Sequence, residues 1–167
     1  MTLPAGPEGC LRGQAAPLTD LDRLQSAFAE LRQRAYLTSE RGCCSNCGLA
    51  DIAEQAGRPR GHQNVEGLRL AQYDDQGLDA AFGECCLPAD WQARLEAAAT
   101  DEEEDRLFQE TLDHDLWIRP TQLVGALWVT WRGSADEVVA VLRSHGLDAH
   151  WYDDFGTPIK DIAAGSE

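Results

Sequence analysis

The sequence predicts an α+β protein of a single domain, and three observations carry that reading. Apolar residues recur at helical spacing over residues 20–36 and again over 138–145. Short apolar or alternating runs at 68–73, 125–131 and 147–152 read as strands. Strands are spread unevenly along the chain, which fits helices on a mixed sheet rather than the regular alternation of a doubly wound fold. No linker or internal repeat divides the chain, so residues 18–162 form the domain, with tails at 1–17 and 163–167. At 167 residues it can bury a core without staples, and 43% hydrophobic against 26% charged residues excludes a disordered chain.

The elements follow in order. Thr19 with Asp22 three residues on is a capping box. Leu21, Leu24, Phe28, Leu31 and Ala35 then form one apolar stripe, so a helix is expected over 20–36. A cysteine-rich turn follows, Arg41-Gly-Cys-Cys-Ser-Asn-Cys-Gly48. Leu49–Ala56 has helical composition, with Ser45 or Asn46 as the expected cap and Gly57 and Pro59 as the stop. Residues 57–66 read as a loop. Leu68–Tyr73 and Leu78–Phe82 flank Asp74-Asp75-Gln76-Gly77, which reads as the turn of a central β-hairpin. Two middle helices come next. One starts at Pro88 and Asp90; the other is capped by Thr100, with Glu103 in the box position. The acidic run Asp101–Asp105 then lies in a first helical turn, where the helix dipole favours negative charge.

The last third reads strand–helix–strand–strand. Gly125–Trp131 is a strand, Ser134 and Glu137 box the next helix, and Gly146 ends it. Leu147–Tyr152 is a strand, 153–156 a turn, and Ile159–Ile162 a short final strand. The first two of these strands are expected to run parallel, joined by a right-handed crossover.

Charge narrows the choice of partners. Residues 1–60 balance seven acids with seven Arg, whereas residues 61–167 carry 22 acids against six Arg and Lys160. A net charge of −15 argues against nucleic acid, whose phosphates need a basic face, and against anionic lipid. It permits a basic protein partner. No stretch approaches the ~20 apolar residues of a membrane span, and no secretory signal opens the chain, so a cytoplasmic, reducing setting is expected.

Cysteine chemistry has three open readings. Cys44-x-x-Cys47 has the spacing of two zinc ligands on one turn. Cys85 and Cys86 are the expected remaining ligands, with Cys43 and His62 as substitutes. Alternatively, Cys44 ahead of a helix start is a thiol-redox nucleophile. That reading is weakened because the preceding element is expected to be the helix ending near Tyr36, not a buried strand. In the third reading the cysteines are small core residues, one of the 85–86 pair pointing inward. Nothing is expected of Cys10 in the tail. No phosphate-binding loop, nucleophile elbow or His-Glu-x-x-His is present, and no enzymatic activity is predicted. His114 is expected to be solvated, His145 to lie near a helix C-terminus, and His150 and Trp151 to lie on opposite faces of a strand. Trp128 and Trp131 also fall on opposite faces, so one of them can be exposed as a protein-binding patch.

Cys43-Cys-Ser-Asn-Cys-Gly48, the ending Gly146-Leu-Asp-Ala-His-Trp151, and Ile159-Lys-Asp-Ile162 together resemble a family of uncharacterised bacterial proteins. The resemblance spans residues 20–162 and implies a Cys-Cys-x-x-Cys-Gly turn after an N-terminal helix. Gly61-His-Gln-Asn-Val65 departs from the family's central stretch, so no role for His62 follows from it. The family has no assigned activity. Composition and charge point to a regulatory domain that binds a basic protein, as an inhibitor or immunity protein does. The alternative is a protein that binds zinc or exchanges thiols through the Cys43–Cys47 turn.

Overall fold

The computed structural model describes residues 17–151 and 159–164. Five strands form one mixed sheet in the order β1-β2-β3-β5-β4: β1 Leu37–Gly42, β2 Leu70–Asp74, β3 Leu127–Arg132, β4 Leu147–Trp151 and β5 Ile159–Ala164. β1 and β2 are parallel, and every other pair is antiparallel. The helices are α1 Asp20–Gln33, α2 Ser45–Gln55, α3 Asp75–Phe82, α4 Ala89–Glu96, α5 Asp101–Asp113 and α6 Ala135–Ser144. The expected α+β class and single mixed sheet are therefore present. Among the described residues, no helix is long and apolar enough to cross a membrane.

Thr19 and Asp22 form the capping box of α1 as expected. The helix stops three residues early, at Gln33, because Ala35 takes a left-handed φ of 65° and Tyr36 N–H turns back to the Leu31 carbonyl. Leu24, Phe28 and Leu31 enter the main core with Leu78 and Phe82 of α3, Leu127 and Val129 of β3, and Val138 and Leu142 of α6. Phe28 and Tyr73 meet edge to face at 4.7 Å. His145 Nε2 and Glu30 Oε2, 2.8 Å apart, tie α6 to α1. His145 first, and Arg34 second, hold the Glu30 carboxyl below its usual range. Ile52 and Ala53 of α2 form a second cluster with Val65 and Leu70.

The central β-hairpin is not formed. Asp74-Asp75-Gln76-Gly77 is a helix start, not a turn: Asp74 Oδ1 accepts from Gly77 N–H at 2.8 Å and caps α3. Leu78, Ala81 and Phe82 then fall on one helical face and are buried. In so short a run, apolar residues at 78, 81 and 82 fit either period, and the Asp cap decides in favour of helix.

The second correction is β1 itself. Leu37-Thr-Ser-Glu-Arg-Gly42 is too polar to read as a strand, yet it pairs with β2 from Leu37↔Leu70 to Gly42↔Asp74. Three residues of β1 advance while β2 advances two, a bulge just before the cysteines. The two middle helices appear at the expected places. Thr100 caps α5 and its acidic first turn, although Glu103 reaches back to Ala99 N–H rather than to Thr100. β3 and β4 run in the same direction, as expected, with β5 between them. The predicted turn at 153–156 lies outside the described residues.

Candidate metal centre

The parallel pair β1–α2–β2 places the cysteines. β1 ends at Gly42, the chain turns through Cys43 and Cys44, and α2 begins at Ser45 with Cys44 as its N-cap residue. The expected cap, Ser45 or Asn46, is thus displaced by a cysteine. A strand, β1 at the edge of the sheet, and not the expected helix, directly precedes the turn.

Residues of β2 hold the turn. Strand alternation puts Leu70, Gln72 and Asp74 on the face covered by α2. Gln72 is fully buried, and its Nε2 donates to the Ser45 carbonyl at 2.9 Å. Ser45 Oγ donates to Asp74 Oδ2 at 2.7 Å, while the other Asp74 oxygen caps α3. Gly42 and Gly48 let the backbones close up. A Cβ on Gly42 would stand 2.8 Å from Gly48 N, and one on Gly48 would stand 1.8 Å from Gln72 Oε1.

A test of this clamp follows. Alanine is better than glycine in a helix by about 1 kcal/mol. Gly48→Ala should nevertheless destabilise by about 1–3 kcal/mol, because overpacking forces Gln72 off the Ser45 carbonyl. Urea denaturation of Gly48→Ala and of Gly48→Ala/Gln72→Ala checks it. The double variant should recover part of the loss; a stabilising Gly48→Ala would show that the turn is loosely packed.

The three sulfurs of Cys43, Cys44 and Cys47 lie within 4.8 Å of one another. Cys43 Sγ is 2.9 Å and Cys44 Sγ 3.5 Å from Cys47 Sγ. Zn–S bonds of about 2.3 Å at tetrahedral angles place sulfurs about 3.8 Å apart, so the trio needs only a small opening to receive such an ion. The thiols are unequal. Cys44 is held below the usual thiol range, first by the Cys47 N–H and next by the Cys47 thiol. Cys47 is pushed up to about 12, first by its hydrogen bond with the Cys43 thiol and second by that with the Cys44 thiol. Cys44 therefore ionises ahead of Cys47.

The other predicted ligands lie elsewhere. α3 is capped by Asp74, beside Ser45, and Cys85 and Cys86 follow its far end, about 12 Å of helix from that cap. There Cys86 bridges to Ile118. His62 lies in a short turn of 3-10 helix whose Val65 packs on Ile52 and Ala53 in the C-terminal half of α2, and it is not among the donors gathered at the turn. The structure brings together Cys43, Cys44 and Cys47 and leaves Cys85, Cys86 and His62 apart from them.

Packing does not explain the described cysteines. Cys43 and Cys86 are exposed, and Cys44, Cys47 and Cys85 are only half-buried, so neither member of the 85–86 pair fills the core. Free cysteine is usually among the most buried residues. Five that are not buried, three of them convergent, call for another reason.

Beside the turn, a pocket of about 430 Å³ is lined by Ser45, Asp74, Gly77, Trp128 and Thr130. Its floor is β3, where Trp128 is 49% exposed and Trp131, on the opposite face, only 8%. His114 is exposed at the end of α5, and His150 Nε2 lies 2.7 Å from Asp148 Oδ1.

No curated protein and no solved structure matches the chain. One family model, described as a domain of unknown function (DUF6891), matches residues 14–116, from the approach to α1 through the cysteine turn to the end of α5. That is more than half of the chain, and it contains the cysteine turn by which a resemblance to an uncharacterised family was read. The chain belongs to the family of the domain of unknown function DUF6891.

Proposed function

We propose that Cys43, Cys44 and Cys47 bind a thiophilic metal ion, zinc by the chemistry of the donors. One observation carries the reading: three thiols of one turn converge within 4.8 Å, and none of them is buried as a packing residue would be. Thiolate sets select zinc and copper(I) over hard cations. A cytoplasmic, reducing setting would keep these thiols available to the ion. Metal analysis and thiol counting on untagged protein purified without chelator test it. About one zinc per chain is expected, with the turn thiols protected until chelator is added. Protein that takes up no metal from a zinc buffer would end the proposal.

A second reading uses the same turn. Strand, Cys44-x-x-Cys47 and helix in succession, with the sulfurs 3.5 Å apart, suit a dithiol. Cys44 and Cys47 would close a disulfide and pass two electrons and two protons to a substrate disulfide. Reversible oxidation of this pair in metal-free protein, read by mass after alkylation, separates the two readings. A basic protein partner is a separate proposal, supported by the acids of residues 61–167 and the exposed ring of Trp128. Its check is salt-sensitive binding of a defined basic peptide that Trp128→Ala abolishes.

A further inference from the structure

We propose that the pocket beside the cysteine turn binds the guanidinium group of an arginine side chain on a partner peptide, an inference that deepens the basic-partner reading above by locating its anchor. Two groups of opposite character line this pocket of about 430 Å³, the indole of Trp128 and the carboxylate of Asp74. Gln72 pairs with Thr130 across β2 and β3, so strand alternation puts Gln72, Asp74, Trp128 and Thr130 on one face of the sheet. On that face α2 packs on β1 and β2, and Trp128 of β3 is left 49% exposed.

The carboxylate is fixed but has no cationic partner. Ser45 Oγ donates to Asp74 Oδ2 at 2.7 Å, and Gly77 N–H donates to Asp74 Oδ1 at 2.8 Å. Both oxygens are thereby held, and each keeps a lone pair for a further donor. Both donors are neutral groups, and the described residues that line the pocket include no Arg or Lys. Small residues of α3, Gly77 and Ala80, keep the pocket open. A Cβ on Gly77 would stand 3.3 Å from Asp74 Oδ1 and crowd it.

An exposed indole beside a carboxylate selects an organic cation. The ring face attracts positive charge, and the carboxylate adds a charge-assisted hydrogen bond. A guanidinium meets both demands: its plane stacks on the ring, its N–H fork fits the carboxylate, and it is more weakly hydrated than an ammonium. Hard metal ions need about six oxygen ligands, which a single carboxylate with two hydrogen bonds already made does not supply. The surplus of acids over residues 61–167 repels phosphates and free carboxylates and attracts a basic peptide.

Titration of the full chain with the peptide N-acetyl-Gly-Arg-Gly-amide tests this, read from the Gly77 and Thr130 backbone amides in two-dimensional NMR spectra. The arginine peptide should shift both amides saturably. The same peptide with citrulline keeps the shape without the charge, and should bind about tenfold more weakly or worse, since both attractions are lost. Asn is as good a helix cap as Asp, so Asp74→Asn keeps the start of α3 while removing the charge. Asp74→Asn and Trp128→Leu should each weaken the arginine peptide about fivefold. L-arginine, whose own carboxylate meets the acidic surface, should bind more weakly than the blocked peptide; equal or tighter binding would overturn the assignment to a peptide. Equal binding of the citrulline peptide by the parent protein, a comparison that needs no variant, would overturn the pocket as a cation site. Salt-sensitive binding of a basic peptide that depends on Trp128 but is unchanged in Asp74→Asn would overturn the arginine anchor and leave the basic-partner reading standing. No binding of any basic peptide would overturn both.

Discussion

Replacing Cys47 with serine should weaken metal binding about 100-fold or more, while Cys85→Ser and Cys86→Ser leave it unchanged. Cys47 is the hub of the cluster, its sulfur 2.9 Å from Cys43 and 3.5 Å from Cys44. A structural zinc site contributes about 10–16 kcal/mol of binding free energy, so one ligand's share is about 3 kcal/mol. Its loss weakens affinity about 100-fold or more. Competition against a chromophoric chelator measures this, with far-UV circular dichroism alongside. Gln72 and Asp74 hold the turn from β2 without any ion, so the variant should keep its secondary structure. Equal affinity in Cys47→Ser and the parent would remove the turn from consideration as a metal site. Loss of binding in Cys85→Ser instead would place the ion at the other end of α3.

The second large effect belongs to the core. Phe28→Ala should destabilise the protein by about 3–5 kcal/mol. Phe28 is fully buried between α1 and the sheet, edge to face with Tyr73 at 4.7 Å. It joins α1 to β2 through Tyr73 inside the main core, so the site cannot collapse by moving one side chain. Urea denaturation of the metal-free protein keeps ligand binding out of the comparison. A shift in midpoint without a change in slope gives the free energy directly. A loss below about 1 kcal/mol would mean that α1 does not pack on the sheet as described.

The two experiments bear on different links of one chain of causes. Phe28 anchors α1, and α1 runs alongside β1, the strand that delivers the cysteines to their turn. Core loss should therefore weaken metal binding only through unfolding, whereas Cys47→Ser should weaken binding with little unfolding. The metal-free stability of Cys47→Ser measures that separation.

What the sequence by itself determined was a set of features encoded by neighbours in the chain. The Thr19–Asp22 box, the Thr100 and Ser134 caps and the Gly146 stop were all readable, because each is a local exchange of hydrogen bonds or a local backbone preference. That Trp128 and Trp131 lie on opposite faces followed from strand alternation alone; which of them is exposed did not. The cysteine turn was legible as a grouping of residues within a short segment.

Tertiary structure decided the rest. β1 is a strand only because Leu70–Asp74 lies beside it and α2 covers it; its polar residues carry no apolar signal. The exception is residues 78–82, which satisfied helix and strand periods alike and were decided by a local cap, Asp74 on Gly77 N–H, in a segment that also reads as a turn. Above all, the choice among Cys43, Cys85, Cys86 and His62 as companions to Cys44 and Cys47 depended on distance through space. The length of α3 lies between the turn and Cys85 and Cys86, His62 stays outside the cluster, and a strand ending in a bulge brings Cys43 into it. Spacing along a chain constrains ligands that share a turn, but only the packing of helices on the sheet decides which distant residues join them.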